Sequence, residues 1–197
     1  MTRTIYCAVA LLCFIATPVS GAEVEWLEVK RKDGHIDIRS EIVIDAPSPS
    51  VYDALLEYDK FAEVNDSFTE SRYLDPAPDG APRIYTKIEG CIWFFCKTVE
   101  RYARLELIPR WQITAIAEPE KSDAKSSVER WTLIAKEETT IIDYHHEIET
   151  GFWVPPLIGV WAIRGTIKRS TIEAAERIEQ MANDSLTKDN ATTQVVY

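Results

Sequence analysis

The sequence predicts an α+β fold in which an antiparallel sheet is followed by one long C-terminal helix. Apolar and polar residues alternate from position 36 to 44 and again from 142 to 148, a period of two that is typical of strands with one buried face. From Leu157 to about Ala182 the apolar residues instead recur every three or four positions, as in an amphipathic helix. Further alternating runs lie between these segments and are separated by short polar turns, which indicates antiparallel pairing of consecutive strands.

The first residues have the three-part layout of a secretory signal. Arg3 supplies a positive charge, residues 6–16 are apolar, and the chain then becomes small and polar up to Ala22. A membrane anchor is one alternative, but the apolar run is shorter than the roughly 20 residues that span a bilayer. Lipidation at Cys13 is another, but Leu12 stands where a small residue should precede that cysteine. We therefore expect cleavage after Ala22 and a secreted protein, periplasmic if the source is bacterial.

The remaining chain has the length and charge of one acidic domain. Removal of 22 of the 197 residues leaves 175, and we place the domain at residues 23–182 and a disordered tail at 183–197. The chain has 22 basic and 32 acidic residues; without Arg3 it has 21 and 32, a net charge of about −11 with histidine neutral. Such a protein is repelled by phosphate backbones, so nucleic acid is not an expected partner.

Two cysteines remain after removal of the signal. Cys91 and Cys96 are five positions apart, and a disulfide between them requires the chain to turn, because residues five apart in a straight strand face opposite ways. Zinc binding is the rival interpretation, although no second cysteine pair accompanies this one. A turn would place Trp93, Phe94 and Phe95 at a hairpin tip, as an entrance or contact surface. A strand buried on both faces is the alternative for these three aromatics.

A family resemblance follows from the order of elements and a few short motifs. Residues 42–47 (Ile-Val-Ile-Asp-Ala-Pro) run into 51–55 (Val-Tyr-Asp-Ala-Leu), where Ser48 or Ser50 can cap a helix that continues to Phe61. Together with the paired motifs at 99–107 and the Pro-Pro before the last helix, this resembles the START-like, helix-grip fold of the polyketide cyclase and coenzyme-Q-binding (SRPBCC) superfamily, over roughly residues 35–182. The resemblance implies a curved antiparallel sheet around the long helix, a cavity between them, and an apolar ligand. It carries over no catalytic residue, and we expect no cofactor and no metal.

His146 is the leading polar candidate. It shares a strand face with Ile142 and Tyr144, whereas His145 should face the other way, so the two histidines should not share a metal. A histidine among apolar neighbours can orient a ligand or, with Tyr144, act as an acid–base pair. The alternative is a core histidine bonded to a backbone carbonyl or to Tyr144.

Two arginines complete the polar set. Arg164 lies one helical turn from Trp161 and could meet an anionic headgroup at the cavity mouth, or could extend its head into water. Arg101 faces inward by strand phase and could instead pair with an acid on a neighbouring strand. The expected ligand contacts are Tyr144, His146, Trp161, Arg164, Arg101, Trp111 and Trp153.

These features predict a secreted carrier for a lipid-like, polyketide-like or isoprenoid molecule, with transient membrane contact through exposed aromatics. Two alternatives stay open. One is an aromatase/cyclase-like enzyme that uses His146 and Tyr144. The other is a protein-interaction module with a collapsed cavity.

Overall fold

A computed structural model of the protein describes residues 21–92, 94–153, 155 and 158–194. The expected signal, apart from Gly21 and Ala22, lies outside the described residues, as do Trp93 and positions 195–197. The first strand begins at Glu23, directly after the expected cleavage point.

The described residues form eight strands, two α-helices and one 3₁₀ helix. The strands are β1 (Glu23–Lys32), β2 (His35–Ile44), β3 (Phe68–Leu74), β4 (Arg83–Ile92), β5 (Phe95–Ile108), β6 (Gln112–Ala117), β7 (Ala124–Lys136) and β8 (Thr139–Thr150). The α-helices are α1 (Ser48–Leu55) and α2 (Val160–Gln194), and the 3₁₀ helix is Tyr58–Glu63.

The eight strands form one antiparallel sheet in the order β1-β2-β8-β7-β6-β5-β4-β3. The register places Ile142 of β8 opposite Ile42 of β2 and Leu133 of β7, so apolar residues of neighbouring strands share one face. These three side chains are buried in one core cluster with Ala175 and Ile178 of α2. The inner face of the sheet therefore packs against the C-terminal helix, as the sequence predicted.

The first helix is shorter than expected. It begins after Pro47, in extended conformation, and ends at Leu55; no serine side chain caps it, and the hydroxyl of Ser50 donates to the Pro47 carbonyl instead. The backbone N–H of Leu56 donates to Asp53 three residues back, a tightened last turn, and the 3₁₀ helix follows. The predicted continuation to Phe61 as α-helix is therefore wrong, although Phe61 is buried.

The last helix begins three residues later than expected and is longer. It starts at Val160 rather than Leu157 and continues to Gln194, so residues 183–194, expected to be disordered, are helical. This stretch lacks an apolar period but contains no glycine or proline. Its polar side chains form hydrogen bonds: Asn183 donates to the distant Asp45 carbonyl, and Ser185 donates within the helix to the Ala182 carbonyl. No helix in the described part of the chain is long and apolar enough to cross a membrane.

The cysteine pair closes the hairpin between β4 and β5. Cys91 and Cys96 are directly opposite in the strand register and form a disulfide. Ile92 pairs with Phe95, so the chain reverses between them, and the Phe94 side chain at the tip is 71% exposed. The predicted disulfide and turn are confirmed.

Replacement of a central inner-face isoleucine tests this architecture. Ile142 is fully buried, so Ile142→Ala should lower the free energy of unfolding by about 3 kcal/mol through lost burial and a cavity. Ile134, on the outer face of β7, is 43% exposed, and Ile134→Ala should cost less than about 1 kcal/mol. Urea denaturation of both variants measures the difference. Equal losses would contradict the assignment of the two faces.

Candidate ligand-binding cavity

A cavity of about 390 Å³ lies between the inner face of the sheet and α2. This volume falls in the range of about 300–1,000 Å³ that is usual for small-molecule sites. Most of its walls are apolar. The sheet contributes Ile36, Ile38, Ile42, Phe68, Ile88, Val99, Trp131 and Ile148. The 3₁₀ segment and the residue after it contribute Phe61 and Val64, and α2 contributes Ile163, Ile167, Ala174, Ala175 and Ile178.

The sequence of α2 explains why the space is open. The helix residues that line the cavity lie three or four positions apart, so they share one face. Isoleucines stand near each end of this face, at positions 163, 167 and 178, whereas Ser170, Thr171 and Ala174 stand between them. Small side chains in the middle leave room that larger ones would fill.

A buried polar cluster interrupts the apolar wall. Arg101 of β5 and Glu129 of β7 are 6% and 8% exposed, and Arg101 Nη1 lies 2.7 Å from Glu129 Oε2. Arg101 Nε also donates to Thr86 Oγ1 at 3.3 Å. The Tyr144 hydroxyl donates to Glu129 Oε1 at 2.9 Å, so both carboxylate oxygens are occupied. The ion pair therefore has the hydrogen-bond support that a buried pair of charges requires.

His146 extends this cluster along β8. Its Nδ1 lies 3.2 Å from the Tyr144 hydroxyl, and its Nε2 lies 2.8 Å from Ser127 Oγ. Because Tyr144 donates its proton to Glu129, we assign the ring proton of His146 to Nδ1, which donates to the tyrosine oxygen, while Nε2 accepts from Ser127. Hydrogen bonds thus run from Ser127 through His146 and Tyr144 to Glu129.

The protonation states follow from burial and from these contacts. Burial lowers the pKa of His146 to about 4, because it disfavours the charged ring more strongly than nearby Glu129 favours it. Burial alone would raise the pKa of Glu129, but the Arg101 charge and the hydrogen bonds hold it at about 2. Burial and the Glu129 charge raise the pKa of Tyr144 well above its usual value. At neutral pH the cluster therefore contains one cation, one anion and two neutral groups.

Small residues on the inner face accommodate the arginine. Ala115 of β6 lies opposite Glu129, and Ala103 and Ala117 face each other beside it. All three alanines are buried. Short side chains between β5 and β7 leave space for the long Arg101 side chain to reach the carboxylate.

Three of the seven predicted ligand contacts line the cavity, namely Arg101, Tyr144 and His146. Tyr144 is packed against Trp131, with ring centroids 4.4 Å apart. His145 lies on the opposite face of the sheet, as predicted. The alternative expectation for Arg101, an ion pair with an acid on a neighbouring strand, is met by Glu129 of β7, two strands away.

The other four predicted contacts lie outside the cavity lining of the described residues. Arg164 is exposed, one position beyond the cavity-facing Ile163, so its head extends from the helix as the alternative interpretation had it. Trp161 is 64% exposed, and its indole packs against Gly159. A Cβ added to this glycine would lie 2.6 Å from the indole Nε1. Trp153 is 72% exposed, and its neighbour Phe152 faces the cavity instead.

Trp111 lies on the outer face of the sheet and not on the inner face, where the strand pattern predicts it. The turn before β6 contains Arg110 with φ of +60°, and the Trp111 N–H donates to the Ile108 carbonyl within this turn. The strand begins only at Gln112, so its two-residue period does not extend back to Trp111. The indole is half exposed and lines a groove on the outer face of the sheet with Arg130.

Glu129 and Ser127 are the functional candidates that the sequence reasoning missed. The alternation of Trp131 and Leu133 predicts strand β7. Continued toward the N-terminus, the same two-residue alternation places Glu129 and Ser127 on the inner face as well. An acid and a serine at inward positions were therefore the available signal.

Aromatic side chains surround the end of the cavity nearest the disulfide hairpin. Phe95 and Phe152 line it, and the Lys97 ammonium lies 5.0 Å from the centroid of the Phe152 ring, linking the hairpin to the segment before α2. Phe94 and Trp153 beside them are largely exposed. Of the hairpin aromatics in the described part of the chain, Phe94 is exposed at the tip and Phe95 lines the cavity.

A second group of titratable side chains lies on the outer face. His145 Nε2 is 3.0 Å from Asp37 Oδ2 and 3.4 Å from Glu147 Oε1. Arg39 Nε also bonds Asp37, at 3.1 Å, and its charge opposes a cation there. We assign this group to hydrogen bonding between β2 and β8 rather than to a metal site.

Solved structures with the same architecture identify the fold. A START superfamily protein from Mycobacterium smegmatis has 14% identity and a TM-score of 0.60, with 75% of this chain and 99% of that chain covered. The Zhui aromatase/cyclase from Streptomyces sp. R1128 has 13% identity and a TM-score of 0.60, covering 77% and 96%. A STAR-related lipid transfer protein from Xanthomonas axonopodis has 14% identity and a TM-score of 0.56, covering 83% and 99%.

No family model matches the sequence, and no curated protein matches it. At identities of 13–14% the structural likeness establishes the fold alone. The protein has the START-like, helix-grip fold, and the predicted resemblance to the START/SRPBCC superfamily is confirmed at that level.

The histidine predicts a measurable pH dependence of stability. Its pKa is about 4 in the folded protein and near 6.5 in an unfolded chain, so the unfolded chain takes up the proton first as the pH falls. The stability that depends on neutral His146 is therefore present above pH 6.5 and is lost progressively between pH 6.5 and 4. Between pH 7 and pH 5 this loss amounts to about 2 kcal/mol.

His146→Gln removes this contribution, because an amide does not titrate. The free energy of unfolding of the variant, measured in urea, should fall by about 2 kcal/mol less between pH 7 and pH 5 than that of the wild type. All other titrating groups are shared by the two proteins. Parallel pH profiles would show that His146 is not buried in its neutral form.

Proposed function

We propose that the protein binds and carries an apolar small molecule, lipid-like, polyketide-like or isoprenoid, in the cavity between the sheet and α2. The observation that carries this proposal is the cavity itself, which is lined mainly by aliphatic and aromatic side chains. Transfer of an apolar ligand from water to such walls is favourable in proportion to the area buried. The Arg101–Glu129–Tyr144–His146 cluster supplies the few polar contacts that orient a ligand.

The solved structures of the same fold support this class of function by analogy. Their names include a lipid transfer protein and an aromatase/cyclase. The analogy concerns the fold, so the argument for this chain depends on its own cavity.

The two alternatives receive less support. An enzyme that used His146 as a base would need a free ring nitrogen, but Ser127 and Tyr144 occupy both, and a pKa of about 4 gives a weak base at neutral pH. An interaction module with a collapsed cavity would lack the open volume of about 390 Å³.

We further propose that the carrier works outside the cytoplasm and contacts membranes transiently. Support comes from the signal-like sequence at positions 1–22 and from the Cys91–Cys96 disulfide, a bond that persists in oxidising compartments. Phe94 and Trp153 are more than 70% exposed beside the cavity. Exposed apolar side chains mark contact surfaces, and the amphipathic indole of Trp153 favours membrane interfaces.

A cavity-filling substitution tests the carrier proposal. Ser170 lines the cavity on α2, and Ser170→Trp should place an indole in the ligand space, whereas Lys168→Trp adds the same group on the exposed side of the helix. Native mass spectrometry of the purified mature protein, before and after organic extraction, should show an extractable apolar species at near one-to-one occupancy. This species should be present in the wild type and Lys168→Trp and reduced at least about tenfold in Ser170→Trp. A wild type without any bound species that also fails to bind an added neutral fluorescent probe would contradict the proposal.

The proposed location predicts the mass of the exported protein. Cleavage after Ala22 gives a chain that begins at Glu23 and retains only Cys91 and Cys96. Intact mass spectrometry should show no alkylation without reductant and two alkylated cysteines after reduction and unfolding. A chain that still carries Cys7 and Cys13 would take up four groups and would contradict export by cleavage.

A further inference from the structure

The hydrogen-bonding capacity left in the cluster defines what kind of polar group a ligand can present. Both oxygens of Glu129 are engaged, one by Arg101 and one by Tyr144. Both ring nitrogens of His146 are engaged as well, by Tyr144 and Ser127. Within the described part of the chain, the cluster therefore has no carboxylate oxygen or ring nitrogen left without a partner.

Arg101 is the member of the cluster that still has N–H donors without a partner among the described residues. A guanidinium has five N–H donors. Thr86 accepts from Nε and Glu129 lies against Nη1, and these are the partners of Arg101 among the described residues. Arg101 also lines the cavity, so its remaining N–H groups are the strongest donors that the cluster offers a ligand. Lys97, the other cation of the cavity lining, lies at the hairpin end against Phe152.

The charge of the cluster limits which acceptor can approach. The positive charge of Arg101 is already balanced by Glu129 at 2.7 Å, and His146 and Tyr144 are neutral at neutral pH. A ligand carboxylate at Arg101 would place a second negative charge next to Glu129, in a site largely shielded from water, where like charges repel strongly. A carbonyl oxygen accepts the same N–H groups without adding charge.

We infer that the Arg101–Glu129 cluster selects apolar ligands that present to it a neutral hydrogen-bond acceptor, such as a ketone or ester carbonyl, and discriminates against the same chain ending in a carboxylate. Glu129 is the residue that determines this selectivity, because it neutralises the arginine that would otherwise attract an anion. The inference rests on the proposed carrier function and names its ligand class.

Competition for the cavity tests this inference. The neutral fluorescent probe N-phenyl-1-naphthylamine is displaced by myristate, by methyl myristate or by the methyl ketone of the same chain length, and the affinity of each competitor is measured. At neutral pH the wild type should bind the ketone and the ester at least about tenfold more tightly than myristate. Glu129→Gln leaves Arg101 unbalanced and should shift this ratio by at least about tenfold toward myristate. Glu147→Gln removes the same charge from the outer face of the sheet and should keep the wild-type ratio.

A second variant covers the case in which unpaired Arg101 prevents folding. Arg101→Met combined with Glu129→Gln removes both charges together, a change that buried ion pairs often tolerate. It should still bind the probe but bind the ketone no more tightly than tetradecane, since the donor is gone.

The outcomes separate the inference from the function on which it rests. Probe binding with equal affinity for ketone and myristate, or a ratio that Glu129→Gln leaves unchanged, overturns the inference and leaves the carrier function in place. Absence of probe binding, or binding that Ser170→Trp does not weaken, overturns both.

Discussion

Burial of the Arg101–Glu129 ion pair constrains everything built around the cavity. Two charges removed from water are tolerated only when each is paired and its remaining hydrogen-bonding groups are satisfied. Here Thr86 and Tyr144 supply part of that support, and Tyr144 is in turn held by His146 and by packing against Trp131. The result is a rigid polar cluster whose members come from strands β4, β5, β7 and β8, so that loss of either charge would disturb half of the sheet.

The cavity lies between the sheet and α2 because the helix packs against the rest of the protein at two separate places. Toward its C-terminal half, Ala175, Ile178 and Ala182 pack into the main core with α1 and the inner face of the sheet. Near its start, Ala162 and Ile163 pack into a second cluster formed with β1 and β2. Between these anchors the helix presents small side chains, and the volume they leave unfilled is the cavity. An unfilled space of this kind reduces stability relative to a filled core, which is consistent with a role in ligand binding.

The fold and part of the site could be predicted because they depend on periodicity. Alternation in β2 and β8 and the three-or-four spacing in α2 determined the strand faces, the helix and their packing, and the same parity placed Tyr144, His146 and Arg101 in the cavity. The failures have local causes. The turn at Arg110 interrupts the alternation of inward and outward side chains before Trp111. In α2, Arg164 follows the buried Ile163 by one position, and one position in an α-helix rotates the side chain by about 100°.

The pairing of Arg101 with Glu129 lay beyond such reasoning for a different reason. Strand parity gives the face on which each residue lies, but not which inward residues on non-adjacent strands meet. That depends on strand order and register, with β6 and its alanines between the two charges. The C-terminal end of α2 also lies beyond the predicted one, because residues 183–194 are helical without an apolar stripe.

Overall acidity and local aromatic exposure together define how the proposed carrier would meet a membrane. A net charge of −10 for the full chain repels anionic headgroups, so attraction cannot come from long-range electrostatics. The exposed aromatics beside the cavity, Phe94 and Trp153, act only on contact and favour the interface of any bilayer, whatever its charge. Because Phe95 and Phe152, the sequence neighbours of this exposed pair, line the cavity, a contact made by the exposed pair would act directly on the cavity wall. The disulfide holds β4 and β5 together at the base of the hairpin tip, so this part of the wall is covalently closed.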